Sequence, residues 1–121
     1  MTDTPSKPLR VLFCIAVQQN FFDLPASEIG TVWQAFGKMM SDMSKLPGVT
    51  IIGTIDDDQI MVGTSPNGWP WTAYILADVP DLDTVTAACN LFRTTPVGEH
   101  LLWKFCRVEA RVGRALEIPD L

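Results

Sequence analysis

The order in which two hydrophobic periodicities follow one another is the feature that most restricts the fold of this chain. Apolar, β-branched runs are typical of strands, whereas apolar residues spaced three and four apart are typical of helices. Strand patterns cover 9–17, 49–55, 59–63 (continued or followed by 71–77) and 103–112, and helical spacing covers 25–46 and 82–92. The order β-α-β-β-α-β predicts an α+β, ferredoxin-like domain with one antiparallel sheet and helices on one face.

Local signals support the ends of these elements. The segment 18–25 is predicted to be a connecting loop, and Pro25 suits the first turn of the following helix. The sequence 46–48, Leu-Pro-Gly, is a typical helix terminator. Asp81 is the expected N-cap of the second helix, and Pro96 is expected to begin a short extra turn.

The sequence FCRVEARV, at 105–112, alternates with period two and so predicts a strand with two unlike faces. One face carries the small apolar residues Cys106, Val108, Ala110 and Val112, which we expect to pack under the helices. The other face carries Phe105, Arg107, Glu109 and Arg111. Since the helices cover only one face of the sheet, a second copy of the same sheet is the economical cover for the other. The sequence therefore predicts a homodimeric α+β barrel that encloses a space between sheet and loops.

Length and charge limit the function classes. At 121 residues the chain predicts a single domain at 9–121, preceded by a flexible polar tail at 1–8. The net charge of -5 argues against nucleic acid as a partner. No apolar run approaches the ~20 residues that would cross a bilayer, so no membrane partner is expected.

Three cysteines lack a CxxC spacing and lie in apolar contexts, which predicts reduced, packed thiols in a cytoplasmic protein: Cys14, Cys89 and Cys106. The chain has no phosphate-loop or dinucleotide fingerprint, and its one histidine is a poor basis for a metal site. Asp56, Asp57 and Asp58 are consecutive, so they predict a solvated turn rather than a calcium loop. We therefore expect neither a cofactor nor a metal.

The charged strand face has two interpretations. Arg107, Glu109 and Arg111 can form a salt-bridged row at a solvated edge or against a partner subunit. Alternatively, Arg107 or Arg111 binds a ligand carboxylate in a bidentate fork. Glu109 would then be a candidate for proton transfer. Periodicity alone does not choose between these interpretations.

Aromatic residues near a loop provide a second set of candidates. Trp69, Trp71, Tyr74 and Trp103 can form the wall of a pocket for a flat apolar ligand, or they can fill the core or a dimer interface. His100 follows Glu99 at a helix-to-strand junction. It is a candidate acid or base, with a surface or structural role as the alternative.

Four segments carry a resemblance that covers almost the whole chain after its tail: FFDLPASEIG (21–30), GTIDDDQIMVG (53–63), GWPWTAYILADVPDLDTV (68–85) and CNLFRTTPVGEHLLW (89–103). Together they resemble the small IacB-type proteins of bacterial gene clusters that degrade indole-3-acetate. The resemblance implies a cytoplasmic protein acting early in that catabolism, near flavin-dependent hydroxylation and an oxindole-acetate intermediate. The resemblance assigns no catalytic residue to this sequence. The expected fold also resembles the dimeric α+β barrels, which include muconolactone isomerases and antibiotic-biosynthesis monooxygenases.

The resulting expectation is a protein that binds or converts an oxidised indole-acetate intermediate, a small aromatic carboxylate. Arg107 or Arg111 would hold the carboxylate, Trp69, Trp71, Tyr74 and Trp103 would contact the ring, and His100 or Glu109 would move a proton. An enzyme of this kind would be a cofactor-independent oxidoreductase, such as a monooxygenase, or an isomerase or a hydrolase. The alternative from another class is a non-catalytic partner that stabilises a pathway oxygenase.

Overall fold

A computed structural model describes residues 7–60, 62–63 and 71–120 of the chain. The elements in chain order are β1 (Leu9–Val17), α1 (Gln19–Phe22), α2 (Ala26–Ser44), β2 (Thr50–Asp56), β3 (Ala73–Val79), α3 (Leu82–Thr94), β4 (Pro96–Val97), β5 (His100–Leu101), a 3₁₀ turn (Leu102–Lys104) and β6 (Cys106–Gly113). Residues 1–6 of the expected tail lie outside the described residues, and Lys7 pairs with Glu117 at 2.9 Å.

Four of the strands form one sheet in the order β2-β3-β1-β6. Every neighbouring pair in this sheet is antiparallel. The β4 and β5 segments pair only with each other. The described chain is therefore α+β with one four-stranded antiparallel sheet, as expected, and with three helices; it is compatible with a ferredoxin-like fold.

The core lies between one face of the sheet and helices α2 and α3. Val11, Phe13 and Ile15 alternate along β1 and are fully buried, because successive strand residues point to opposite faces. The residues that meet them include Val32, Met39 and Met43 of α2, and Ala88 and Phe92 of α3. Burying each large apolar side chain contributes about 1.5–3 kcal/mol, so this layer holds the helices on the sheet.

The register of β6 confirms that its small apolar face lies on the helix side of the sheet, although Val112 at the end of this face is 42% exposed and so is not packed under the helices. Val108 lies opposite Ile15 and Ala110 lies opposite Phe13, so the small apolar face shares the side of the core. Arg107, Glu109 and Arg111 lie on the other face of the sheet. We refer to this second face, which also carries Leu12 and Leu76, as the open face.

The placement of Phe105 on the charged face was wrong. Phe105 follows the 3₁₀ turn with φ −108° and ψ −18°, which is a helical rather than an extended backbone conformation. The period-two alternation therefore begins at Cys106, and the Phe105 ring turns into the core cluster, where it is buried. Its N–H donates to the Leu102 carbonyl at 2.9 Å.

The signals at the helix ends agree with the structure to within two residues, since α2 begins at Ala26, one residue after Pro25, and ends at Ser44, two residues before Leu46. Pro25 stands at the N-cap of α2, and the Asp81 carboxylate accepts a hydrogen bond from the Thr84 N–H at 2.8 Å and caps α3. After α2, Gly48 adopts φ +79°, a conformation that glycine accommodates without strain. A Cβ at Gly48 would also come within 2.9 Å of Pro80, so the chain turns tightly there before β2.

Three expectations about the connections were wrong. The segment 18–25 contains the short helix α1, and Pro96 begins the strand β4 rather than a helical turn. The expected strand at 59–63 is absent from its described residues, where Ile60 and Val62 are 78% and 87% exposed. The partner of β3 is β2 instead, and their pairing reaches Asp56 opposite Ala73. Apolar residues without a partner strand do not extend a sheet.

Among the described residues, the helices lack the combination of length and apolar character that crossing a bilayer requires.

Candidate functional site

A cavity of about 520 Å³ lies between the helix side of the sheet and helices α1 and α2. Strand residues that share the core face, Ile15, Ala73 and Ile75, form its floor. The 3₁₀ turn and the start of β6 close one side with Leu102, Phe105 and Cys106. The cavity is therefore an extension of the core layer that side chains do not fill.

Aromatic rings form the helical wall of this cavity. Phe21, Phe22, Trp33 and Phe36 all line it. The rings meet edge to face in a continuous series, with centroids 5.3 Å apart for Phe21–Phe22, 6.1 Å for Phe21–Trp33 and 5.8 Å for Trp33–Phe36. We call these four residues the aromatic wall.

The local sequence explains why the wall borders open space. Trp33 and Phe36 are three residues apart on α2, so they lie on one helix face. The ring of Phe36 continues the edge-to-face series to Phe92 in the core, at 6.4 Å. Trp33, at the other end of this pair, keeps 52% of its surface exposed. The wall thus runs from a buried anchor to rings that are free to contact a ligand.

Three consecutive carboxylates border the same cavity where β2 ends. Asp56 pairs with Ala73 in the sheet and so points to the core side, and Asp57 and Asp58 follow it. The Tyr74 hydroxyl donates to Asp57 Oδ2 at 3.3 Å, and the Asp57 N–H donates to the Thr72 carbonyl at 2.9 Å. We call the three aspartates the acidic rim.

The acidic rim has no basic counterpart at the cavity. Every arginine, every lysine and the histidine of the chain lie in the described part of the sequence, and none of them lines the cavity. The polar side-chain groups of the described lining are the hydroxyls of Thr54, Thr72 and Tyr74, the indole N–H of Trp33, the rim carboxylates and one thiol. All the donors among them are neutral groups.

The thiol at the cavity belongs to Cys106. Its S–H donates to the Leu102 carbonyl at 3.5 Å, and burial raises its pKa from 9.0 to about 12. A thiol with so high a pKa stays protonated near neutral pH and is a poor nucleophile. Burial likewise raises the pKa of Cys89, and Cys14 is fully buried, so the structure agrees with packed thiols.

The open face carries the charged residues that the sequence offered as carboxylate ligands. Arg111 Nη2 lies 3.1 Å from Glu109 Oε2, so part of the predicted salt-bridged row is present. At the far end of the sheet, Arg10 Nε donates to Asp78 Oδ1 at 2.6 Å. Arg10, Arg107, Glu109 and Arg111 do not line the cavity, whereas Tyr74 and Ile55, on the same face of the sheet, border it near the end of β2.

A second, more open recess of about 450 Å³ brings together two other predicted site residues. His100 and Trp103 line it with Arg93, Leu101 and Lys104. The Arg93 guanidinium lies 5.0 Å from the centre of the Trp103 ring, in a cation–π arrangement. Lys104 Nζ lies 3.2 Å from His100 Nε2.

The structure thus distributes the predicted site residues over three places. Tyr74 lies on the open face and also borders the cavity, His100 and Trp103 lie in the recess, and Arg107, Glu109 and Arg111 lie on the open face away from the cavity. Trp71 is half-buried, and its carbonyl lies 3.4 Å from the Tyr74 hydroxyl, which shares its one proton between this carbonyl and Asp57; Trp69 lies outside the described residues.

The aromatic wall was missed as a site. Trp33 and Phe36 belong to the apolar stripe of α2, which periodicity assigns to the core without separating core from cavity. The adjacent pair Phe21–Phe22 is the one signal that could have indicated it, since two consecutive large rings cannot both be buried by a single-sided helix.

No group of three or more histidine, cysteine, aspartate or glutamate side chains converges as metal ligands do, within the part of the chain that the structure describes. In comparisons with known proteins, the sequence matches no protein-family model and no curated protein sequence. The inference of function therefore depends on the cavity and on the residues around it.

Proposed function

We propose that this protein binds a small, flat aromatic compound in the cavity between its sheet and helices α1 and α2. The aromatic wall supports this proposal most directly. Ligand cavities of about 300–1,000 Å³ lined by apolar and aromatic side chains with a few polar groups are the usual form of small-molecule sites. Both the 520 Å³ volume and the lining of this cavity fit that description.

The resemblance to the IacB-type proteins supplies the chemical setting. In that setting the protein acts in the cytoplasm in aromatic catabolism, and the first candidate ligands carry the indole or oxindole ring of oxidised indole-acetate compounds. Such a ring is flat and apolar, which suits edge-to-face contacts with Trp33 and Phe36. The geometry supports binding of the ring more directly than a reaction, because His100 and Glu109 lie away from the cavity.

We further propose that the protein is a homodimer whose open faces pack together, as in the dimeric α+β barrels. Leu12 and Leu76 are direct neighbours across β1 and β3 on this face. Ile52 and Ile55 of β2 are 47% and 57% exposed. An apolar strip of this kind, bordered by the Arg10–Asp78 and Glu109–Arg111 pairs, suits a self-complementary interface.

Calorimetric titration with indole, oxindole and indole-3-acetate tests the binding proposal. At least one compound should bind to the wild-type protein and not to Ala73→Phe, because the added ring projects into the cavity. Ala87→Phe on the exposed side of α3 is the matched control and should bind normally. The proposal fails if none of the three ring compounds binds, or if Ala73→Phe binds them unchanged.

Incubation of the same compounds with the pure protein, followed by mass spectrometry and oxygen-uptake measurement, tests for catalysis. Oxygen consumption with the pure protein alone would identify a cofactor-independent monooxygenase. A mass change without oxygen uptake would indicate a hydrolase, and a new isomer of unchanged mass would indicate an isomerase.

The recess favours a second candidate function, that of a non-catalytic partner of a pathway oxygenase. Tryptophan and arginine are enriched at protein interfaces, and Arg93 and Trp103 stand together there on an exposed surface. This function predicts co-purification with an oxygenase that is lost on Trp103→Ala. Retention of the partner by Trp103→Ala would contradict an interface at the recess.

A further inference from the structure

We propose that the cavity selects its aromatic ligand by charge. It binds a planar aromatic compound with a protonated amine in preference to the neutral counterpart, and it disfavours a free carboxylate. This inference rests on the proposed binding function and specifies the ligand class for the same site. It departs from the resemblance, which implies a carboxylate ligand.

The acidic rim is the first observation. The register of β2 places Asp56 on the cavity side of the sheet, directly after Thr54 on the same side. Asp57 and Asp58 continue the chain at the cavity border. A ligand whose ring enters the aromatic wall would therefore extend its side chain near three negative charges.

The rim charges are not neutralised by the rest of the described chain. Its ion pairs use other acids, namely Asp42, Asp78, Glu109 and Glu117. Asp57 receives a hydrogen bond from the Tyr74 hydroxyl, and Asp58 receives one from the Gln59 amide at 3.3 Å. Both donors are neutral, so the negative potential at the rim persists and attracts a cation.

The interior strengthens the same preference. The faces of aromatic rings attract cations, and the exposed ring of Trp33 provides such a face. A carboxylate in an apolar cavity needs a charged or clustered donor to offset its desolvation. The arginines that would supply such donors lie elsewhere: Arg107 on the open face and Arg93 in the recess.

A series of three compounds on one ring tests this inference by calorimetry: tryptamine, 3-methylindole and indole-3-acetate. At low ionic strength we expect tryptamine to bind tightest and indole-3-acetate weakest, with about tenfold between these two extremes. The spread should narrow at roughly 0.5 M salt, because the Debye length falls to a few ångström and exposed carboxylates are screened. Equal or tighter binding of indole-3-acetate than of tryptamine would overturn the inference.

Variants distinguish this inference from the binding proposal. The combined change Asp56→Asn, Asp57→Asn and Asp58→Asn should weaken tryptamine binding severalfold and leave 3-methylindole unchanged. Asp83→Asn, on exposed α3, is the control and should change neither. If 3-methylindole binds but the combined variant binds tryptamine as tightly as the wild-type protein does, charge selection is wrong while the binding function stands. If no compound binds, the binding function itself fails, and the inference with it.

Discussion

Replacement of Trp33 by leucine separates the contribution of the aromatic wall to binding from its contribution to stability. Trp33 makes two edge-to-face contacts, with Phe21 and with Phe36. Each such pair contributes about 0.5–1.5 kcal/mol beyond its buried area, so losing both lowers the free energy of unfolding by about 1–3 kcal/mol. Half of the Trp33 side chain is exposed, so the lower end of that range is expected.

The same substitution removes one ring that a ligand would contact. Loss of one aromatic contact of about 1 kcal/mol weakens binding roughly fivefold. Thermal unfolding measures the first effect, and we expect the Tm to fall by a few degrees. Calorimetric titration with 3-methylindole, which carries no charge, measures the second effect without a contribution from the acidic rim.

Trp103→Leu is the matched control, because Trp103 is also partly exposed but lies in the recess. It loses the contact with Arg93, which is worth about 0.5–1 kcal/mol at an exposed site, and should bind the ligand normally. If Trp103→Leu weakens binding as much as Trp33→Leu does, or if Trp33→Leu has no effect, the ligand does not occupy the cavity. Such a result would indicate that the ligand binds at the recess, next to Trp103, which the sequence analysis predicted as a ring contact.

Three further outcomes are expected. Leu76→Arg should convert the proposed dimer to a monomer in light scattering, since it places a charge beside Leu12 on the open face; a wild-type monomer at micromolar concentration would contradict the interface. Because burial raises the pKa of Cys106 from 9.0 to about 12, the stability that the protonated thiol contributes is full below pH 9 and is lost as the pH rises towards 12. In urea titrations, Cys106→Ala should reduce this loss of unfolding free energy at alkaline pH. An unchanged dependence of stability on pH would argue against a buried thiol. Hydrogen bonds from the Thr84 side chain and backbone lower the pKa of Asp81 below 3.8, so its contribution is present above that pH and is lost as the pH falls through the lowered pKa. Asp81→Ala should therefore lower the Tm at pH 7, and its effect should become smaller as the pH falls below 3.8. Asp81→Ser should retain the cap, and equal effects of the two changes at pH 7 would contradict a capping role.

The parts of the fold that depend on local pattern were predictable from the sequence. β1 occupies the apolar run 9–17, and Asp81 caps α3 as its position before an apolar stripe indicates. The alternation of β6 correctly separated Val108 and Ala110 from Arg107 and Glu109. In each case the sequence pattern depends on a local backbone geometry, which residues close in the sequence determine.

The site was less accessible to sequence reasoning, because a cavity depends on what non-local side chains leave unfilled. Trp33 and Phe36 belong to the same apolar helical stripe as Met39 and Met43, yet the first pair borders open space and the second pair is covered. Phe105 does not lie on its predicted face, because a 3₁₀ turn precedes β6. No pattern in the sequence indicates this turn. Periodicity assigns a residue to a face, whereas the depth of packing on that face depends on several elements together.

The strand order also has a consequence for how the chain is made. β1 lies inside the sheet, and one of its edges pairs with β6, with Val17 opposite Cys106 and Arg10 opposite Gly113. These partners are far apart in sequence, and such non-local pairing slows folding because loop closure must precede the contact. During synthesis, β1 emerges long before β6, and its hydrogen-bonding edge stays unpaired in the interval. An apolar strand with an unpaired edge tends to pair with strands of other chains. We therefore expect this protein to aggregate most readily before β6 has been synthesised.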